Sequence, residues 1–199
     1  KLIDIDNQSV VDTWHLDSAV TSIDSDRKEA STVLAAMETG YLEVKDLRGS
    51  REVIRLRTQV QKVNNKLASP VTQAQFHPSD DNRIGCVAGS QYFIWDRRNS
   101  SKPVVANVAH HVGGCFSFQW APIIYNQSRT HSGSLFATSG YDQVKIWDAS
   151  SDVCLKTIQH NVKVTGVSWI DQEFDRLAPS AQPLGCVVAA DTKLSFFEV

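Results

Sequence analysis

The sequence predicts an all-β protein that is built from repeated four-stranded units. Three observations support this: one strand-turn-strand pattern recurs along the chain, every copy closes on an acidic residue, and further strand patterns flank each copy. In the patterns upstream of each copy apolar and polar residues alternate with a period of two, which is typical of strands, whereas a helix would repeat every three or four residues. The chain has 199 residues, of which 42% are apolar, enough for a packed core.

The recurring pattern is an apolar strand of small residues, a short polar turn, and a strand that ends in an aromatic or apolar residue followed by an acid. Copies lie at 33–46, 85–96, 135–148 and 185–199, and a truncated copy opens the chain at 1–6. The closing acids, which we expect to mark the ends of the units, are Asp6, Asp46, Asp96, Asp148 and Glu198. Intervals of roughly 40 to 50 residues between such acids suit units of four strands.

The flanking strands are rich in β-branched and aromatic residues. Upstream strands are predicted at 19–24, 71–76, 115–120 and 164–169. Downstream strands are predicted at 10–16, 51–56, 103–108 and 153–158. Together with the two central strands, they give each complete unit four strands.

Two of the central strands end in Trp-Asp, at Trp95-Asp96 and Trp147-Asp148, and His111 and His160 lead into the units that follow. With these residues, and above all with the copy at 139–160, the chain resembles the WD-repeat family over almost its whole length. The resemblance implies a WD-repeat β-propeller in which each unit is one blade. It also implies that Trp95, Trp147 and Asp148 are structural residues.

About four blades are present, whereas WD-repeat propellers usually have seven. The chain begins with the third strand of one blade and ends with the third strand of another, at 195–199. We therefore expect it to be the C-terminal part of a seven-bladed ring, whose N-terminal blades are missing or are supplied by a partner chain. A ring of four blades is the alternative.

In the family, a loop His, a strand Ser or Thr, a turn Asp and the strand Trp often form a hydrogen-bonded network inside one blade. The candidates in this chain are His111, Thr138 or Ser139, Asp142 and Trp147. A hydrolase triad would instead need an exposed nucleophile on a strained turn and an oxyanion hole, and no such motif surrounds Ser139. We therefore expect these residues to be structural and the protein not to be an enzyme.

The composition argues against several other classes of function. Lys and Arg number 20 against 22 Asp and Glu, and the net charge of -2 gives no general attraction to nucleic acid or anionic lipid. No apolar run is long enough to span a membrane. The cysteines lack the paired spacing of zinc ligands, so no metal or other cofactor is expected, and they are predicted to be buried thiols of a nuclear or cytoplasmic protein.

The segment from Arg48 to Lys66 is the first candidate surface for a partner, because propellers place their specificity in long loops. It carries Arg48, Arg55 and Arg57, together with Arg51 and two lysines, against one acid. It forms either a solvated strand face or a basic strip for an acidic peptide. RNA is less favoured because no aromatic residue is interleaved to stack on bases.

A second candidate surface lies at 121–134, where Ile123, Ile124 and Tyr125 form an apolar cluster. The cluster is either tucked under the rim of the propeller or exposed for a partner. A third long segment, at 171–183, is predicted to be an ordinary surface loop.

One short motif points to a particular kind of partner. Propellers that act as substrate receptors of cullin-4 ubiquitin ligases often end a blade with W-D-x-R, and residues 95–98 match this pattern. The resemblance implies that Arg98 can pair with Asp96 and project toward the ligase adaptor. Many unrelated WD-repeat proteins carry the same four residues, so the motif is either structural or a contact for the adaptor, and the structural interpretation is favoured. Arg48, after Asp46, is a partial match without the Trp.

These features predict a non-catalytic scaffold or adaptor subunit of an intracellular multiprotein complex, which binds other proteins. The alternatives are the substrate receptor of a cullin-4 ligase and a reader of a modified peptide at the central channel. A reader would need an aromatic cage or an arginine cluster at the channel mouth.

Overall fold

The computed structural model of the chain describes residues 2–49, 53–58, 69–122, 134–170, 185–190 and 192–198. Within these ranges the regular elements are β-strands, and paired strands run antiparallel. The prediction of an all-β fold is therefore confirmed.

The strands form five sheets, and four of these follow one plan and are called blades 1 to 4. A two-stranded sheet comes first, made of β1 (Leu2–Asp4) and β2 (Ser9–Asp12). Blade 1 contains β3 (Val20–Ser25), β4 (Thr32–Met37), β5 (Tyr41–Asp46) and β6 (Val53–Arg57). Blade 2 contains β7 (Val71–Phe76), β8 (Arg83–Ala88), β9 (Gln91–Asp96) and β10 (Val105–Val108). Blade 3 contains β11 (Ser117–Trp120), β12 (Leu135–Ser139), β13 (Gln143–Asp148) and β14 (Val153–Gln159). Blade 4 contains β15 (Val164–Ile170), β16 (Gly185–Ala190) and β17 (Lys193–Glu198).

These strands lie close to the predicted positions, but several are shorter than expected. The opening strand ends at Asp4 and not at Asp6, the strand predicted at 10–16 ends at Asp12, and the strand predicted at 103–108 begins at Val105. The strand predicted at 115–120 begins at Ser117, because Gly113 and Gly114 adopt positive φ angles of 79° and 100°. Glycine tolerates this left-handed backbone, which turns the chain just before the strand.

The first strand of every blade is its inner strand, because β3, β7, β11 and β15 contact one another in succession. Polar side chains join neighbouring inner strands. The hydroxyl of Thr21, at a β-bulge, donates to the carbonyl of Val71 in the next blade. Thr72 occupies the same bulge one blade later and donates to the carbonyl of Cys115 at 3.1 Å. The repeat thus reproduces its contacts between blades as well as its strands.

The apolar core lies between successive blades. Each interface combines the second and third strands of one blade with the inner strand of the next. At the interface of blades 2 and 3, Tyr92 and Ile94 pack with Phe118, Phe136 and Trp147. Since each blade has one apolar face toward its predecessor and another toward its successor, a blade at the end of the array leaves one of these faces without a neighbour.

Candidate functional site

The predicted structural network centres on the hydroxyl of Thr138. The indole Nε1 of Trp147 donates to Thr138 Oγ1 at 2.8 Å, and His111 Nε2 lies 2.8 Å from the same oxygen. Of the two candidate hydroxyls, that of Thr138 therefore joins the ring nitrogens, while Ser139 is buried beside it in β12. The network is buried inside blade 3.

His111 is held in its neutral form. Burial, together with the nearby charge of Lys145, lowers the pKa of His111 to about 4. Its Nδ1 and the Oδ1 of Asp142 are both buried, and neither has a hydrogen-bond partner. The His-Asp hydrogen bond that the resemblance implies is thus absent, and Asp142 instead accepts from Gln159 Nε2 at 3.0 Å.

Among the described residues, only those of blade 3 and its preceding loop provide this network. The blades can be aligned on the acid that ends their third strand. In this alignment the other blades have Ala35, Cys86 and Val188 at the position of Thr138. Burial strongly raises the pKa of the Cys86 thiol, so this sulfur is not a reactive thiolate. The network therefore supports packing, and in the described part of the chain it presents no exposed nucleophile beside a base.

The W-D-x-R arginine is paired with the acid of its motif, and the partial match has the same geometry. Arg98 donates from its backbone nitrogen and from Nε to Asp96 Oδ1, at 3.0 and 2.9 Å. The corresponding distances from Arg48 to Asp46 are 2.9 and 3.1 Å. Hydrogen bonds from these arginines lower the pKa of Asp46 and of Asp96 to about 2. Both guanidinium groups are solvent-exposed, with side-chain exposures of 64% and 71%.

Within the described part of the basic strip, Arg55 is paired with acids that lie elsewhere in the sequence. Arg55 Nη2 lies 2.6 Å from a carboxylate oxygen of Asp17, and Arg55 Nε lies 3.4 Å from Glu43. The guanidinium groups of Arg55 and Arg57 also lie 4.2 and 5.5 Å from the ring centroid of Tyr41. In the part of the strip that the structure describes, Arg55 and Arg57 therefore form a mixed surface with Asp17, Glu43 and the ring of Tyr41, in which the charge of Arg55 is compensated.

Some candidate partner residues fall outside the described part of the chain. These are Ile123, Ile124 and Tyr125, and, within the basic strip, Arg51, Lys62 and Lys66.

The two-stranded sheet contacts the outer part of blade 1, where Asp12 of β2 pairs with Lys45 of β5 at 3.3 Å, but among the described residues the inner part of an apolar face of blade 1 stays uncovered. Ile23 of β3 is 73% exposed. The residues at its register position in blades 2, 3 and 4 are Ala74, Phe118 and Val167, and they are only 1%, 0% and 5% exposed. In those blades the position packs against the preceding blade, so Ile23 faces the place that a preceding blade would fill.

Blade 4 leaves the opposite kind of face uncovered. Leu194 and Phe196 of β17 are 66% and 70% exposed. Their register equivalents in blade 2 are Tyr92 and Ile94, which are buried against blade 3, and the equivalent pairs in blades 1 and 3 are buried as well. Leu194 and Phe196 thus face the place that a following blade would fill.

A further feature, which the sequence analysis did not single out, is a cavity of about 160 Å³ at the C-terminal ends of the four inner strands. Among the residues that line it are Asp24, Gln75, Gln119, Trp120 and Trp169. Each predicted upstream strand has a polar residue at its last or second-to-last position, and this pattern is the signal for the cavity in the sequence. Only the strand register shows that these residues converge.

Other kinds of site are not indicated by the described residues. No group of three His, Cys, Asp or Glu side chains among them is arranged to hold a metal ion, and the four cysteines are free thiols. In the same residues, no helix is both long enough and apolar enough to cross a bilayer.

Comparison with known proteins supports the fold. No protein-family model and no curated sequence matches the chain. A chain of the structure described as "Crystal Structure of Mitotic Checkpoint Complex" matches with a TM-score of 0.69 and 16% identity, over 99% of this chain and 55% of that one. A chain of "COPII on membranes, outer coat vertex" matches with a TM-score of 0.68 and 22% identity, over 90% of this chain and 44% of that one. A chain of "The structure of the COPII coat assembled on membranes" has the same TM-score and identity, over 24% of its length.

The chain thus spans about half the length, or less, of these structural neighbours. At such low identity the likeness establishes the fold alone, and the repeated four-stranded antiparallel blades agree with it. The chain has a β-propeller fold, and its structural neighbours are WD40-type propellers.

Proposed function

We propose that this chain is a non-catalytic scaffold or adaptor subunit of an intracellular multiprotein complex. The observation that carries the proposal is the pair of uncovered blade faces, marked by Ile23 at one end and by Leu194 and Phe196 at the other. Exposed apolar surfaces of this kind mark protein interaction sites. The structural neighbours are themselves parts of assemblies, which supports the same function.

Further propeller blades are the occupants that best suit these faces. The two faces differ, because one is of the kind that contacts a preceding blade and the other of the kind that contacts a following blade. Contacts between unlike faces are head-to-tail and lead to ring closure when the rotation allows it. We therefore propose that blades N-terminal to this chain, or blades of a partner chain, complete the ring.

Polar substitution of one face tests this proposal. We expect the 199-residue chain to associate, because burial of its exposed apolar blade faces lowers the free energy. Light scattering should then give a mass above 22.1 kDa. Leu194→Ser combined with Phe196→Ser should lower that mass. Leu155→Ser is the matched control, since Leu155 is 54% exposed on the outer strand of blade 3, and it should leave the mass unchanged. A wild-type chain that is a monodisperse monomer would contradict the proposal.

Partner capture tests the scaffold function itself. Affinity purification of the protein at low salt, followed by cross-linking and mass spectrometry, should identify polypeptides cross-linked to exposed lysines such as Lys28 and Lys102. Charge reversal of Arg55 and Arg57 asks whether the strip contributes to this binding. A protein that is recovered without any cross-linked partner would argue against a scaffold.

A substrate receptor of a cullin-4 ligase is the second candidate function. The observation in its favour is the shared pairing of Arg98 with Asp96 and of Arg48 with Asp46, which exposes two fixed guanidinium groups on neighbouring blades. Arg98→Ala should abolish co-purification with the ligase adaptor. Arg83→Ala is the control, because Arg83 is also paired and partly exposed in blade 2 but lies outside the motif. Co-purification that survives Arg98→Ala would exclude this function for the motif.

A further inference from the structure

The cavity at the ends of the inner strands is built from two sets of equivalent residues. Strand pairing places one polar residue of each blade at the first position, and these residues are Asp24, Gln75, Gln119 and Ser168. At the next position the blades contribute Ser25, Phe76, Trp120 and Trp169. All eight residues line the cavity. The first four are called the polar set, and the second four, three of which are aromatic, are called the aromatic set.

Two members of the polar set accept a hydrogen bond from the backbone of the next blade, one through a carboxylate and the other through an amide. Asp24 Oδ2 accepts a hydrogen bond from the backbone N–H of Phe76 at 2.8 Å. One blade later, Gln75 Oε1 accepts from the backbone N–H of Trp120 at 3.2 Å. Since a neutral amide performs this task at Gln75, the negative charge at Asp24 is not needed to join the blades.

The charge at Asp24 is costly to the fold. Asp24 is half-buried, and burial raises the pKa of its carboxyl group in spite of the hydrogen bond from Phe76. Among the described residues no ion pair is formed by Asp24, and the nearby Arg27 only partly offsets the effect of burial. A partly desolvated carboxylate in a cavity wall attracts a cation more strongly than an exposed one does.

The aromatic set of the cavity also suits a cationic ligand. Trp169 is partly exposed, and its Nε1 donates to the carbonyl of Gln119 at 3.2 Å, which fixes the indole in the cavity wall. Indole faces bind ammonium and guanidinium groups through their quadrupole. A volume of about 160 Å³ is enough for one long side chain.

We propose that this cavity binds the cationic side chain of an arginine or lysine from a partner polypeptide, with Asp24 as the counter-ion and Trp169 as the aromatic surface. The inference rests on the proposed function, because it assigns the scaffold a peptide-recognition site at the C-terminal ends of the inner strands. Arg27, which is exposed at the edge of the cavity, opposes a cation and limits its affinity.

Tripeptides provide the probe, and the indole N–H resonances of the protein provide the readout. Acetyl-Gly-Arg-Gly-amide is titrated into the isotopically labelled protein, and Trp169→Phe identifies the Trp169 signal among the five tryptophans. We expect a saturable shift of that signal. The citrulline peptide, which has the same shape without the charge, should give no saturable shift.

Substitutions at Asp24 and Arg27 should act in opposite directions. Asp24→Asn keeps an oxygen for the Phe76 N–H and should weaken binding about tenfold, since it removes the counter-ion. Arg27→Gln should strengthen binding a few-fold, since it removes repulsion. Glu38→Gln, which removes one exposed negative charge at the β4–β5 turn, is the matched control and should change nothing.

Three outcomes would overturn the inference. They are equal binding of the arginine and citrulline peptides, unchanged binding in Asp24→Asn, and tighter binding of acetyl-Gly-Glu-Gly-amide with loss in Arg27→Gln, which would assign the cavity to an acidic ligand. Because partner capture is measured separately on the whole protein, a negative peptide titration with intact capture contradicts only this site. Loss of capture together with intact peptide binding contradicts the scaffold function and leaves the site in place.

Discussion

The phenol of Tyr92 in blade 2 donates a hydrogen bond to the carboxylate of Asp152 in blade 3. Asp152 lies in the turn after β13 with a φ of 57°, and it also accepts from Asn107 Nδ2 at 2.9 Å. The Tyr92 ring packs against Phe136 and Trp147, with centroid distances of 5.1 and 4.9 Å. One residue thus joins the two blades through both an apolar and a charge-assisted contact.

Tyr92→Phe should therefore destabilise the protein while it leaves the ring packing in place. Loss of a hydrogen bond to a charged group costs about 1.5–3 kcal/mol, and urea unfolding measures the difference. Tyr141→Phe is the control, because Tyr141 is 53% exposed and should give a change within about 0.5 kcal/mol. Equal stabilities of the two variants would show that the Asp152 contact does not stabilise the blade interface.

Thr138→Val removes the hydroxyl that joins Trp147 and His111 and keeps the shape of the side chain. It leaves the buried indole N–H without an acceptor, so we expect a loss of about 1–3 kcal/mol in the free energy of unfolding. Thr138→Ser keeps the hydroxyl and should retain more of the stability than Thr138→Val does. The exposed Thr157, changed to Val, controls for the substitution itself. If Thr138→Val is as stable as the wild type, the network does not stabilise blade 3.

Acid should destabilise the fold through His111. Because burial lowers its folded pKa from 6.5 to about 4, its stabilising effect is complete above about pH 6.5 and is lost as the pH falls toward 4. The loss amounts to about 3 kcal/mol over this window. Asp46, Asp96 and Asp148, whose pKa values are lowered to about 2, contribute to acid sensitivity only below about pH 4.

Urea unfolding of wild type and His111→Gln between pH 7 and 4 measures this effect. The variant should show a flatter dependence on pH than the wild type. His15→Gln, at an exposed histidine, should behave as the wild type does. Parallel curves for all three proteins would contradict the assignment to His111.

Gly85 is required by an aromatic side chain of the next blade. A Cβ at this position would lie 2.1 Å from Cζ of Phe118, whose ring stacks on Phe136. We expect Gly85→Ala to cost about 1–3 kcal/mol, because the packed ring has no free space to move into. Gly166→Ala is the matched control, since a Cβ there meets no atom within 4 Å. Thermal unfolding of the two variants checks the difference, and similar losses would contradict this explanation.

The strands were predictable because their signal is local. Alternation along β7 and β15, and Trp-Asp at the ends of β9 and β13, are properties of short segments that fold in the same way in each blade. The start of β11 was missed by two residues, since the positive φ angles of Gly113 and Gly114 are not evident from alternation.

The candidate site was less predictable because its contacts are long-range. The sequence left Thr138 and Ser139 as alternatives, and only the pairing of β12 with β13 places Thr138 between Trp147 and His111. The sequence places Arg55 in a segment with excess positive charge, whereas in the structure Asp17, 38 positions earlier in the chain, lies beside it. Such pairs form only when distant strands pack together, so they cannot be predicted from the periodicity of the sequence.

The sequence by itself determined the all-β class and the four-stranded repeat, because these follow from side-chain alternation and turn chemistry within a few residues. Tertiary structure alone decided which faces stay uncovered, which charges are compensated, and that Asp24, Gln75, Gln119 and Ser168 converge on one cavity. The physical reason is that burial, desolvation and charge pairing depend on the neighbours that packing brings together, and those neighbours lie about one repeat apart in the chain.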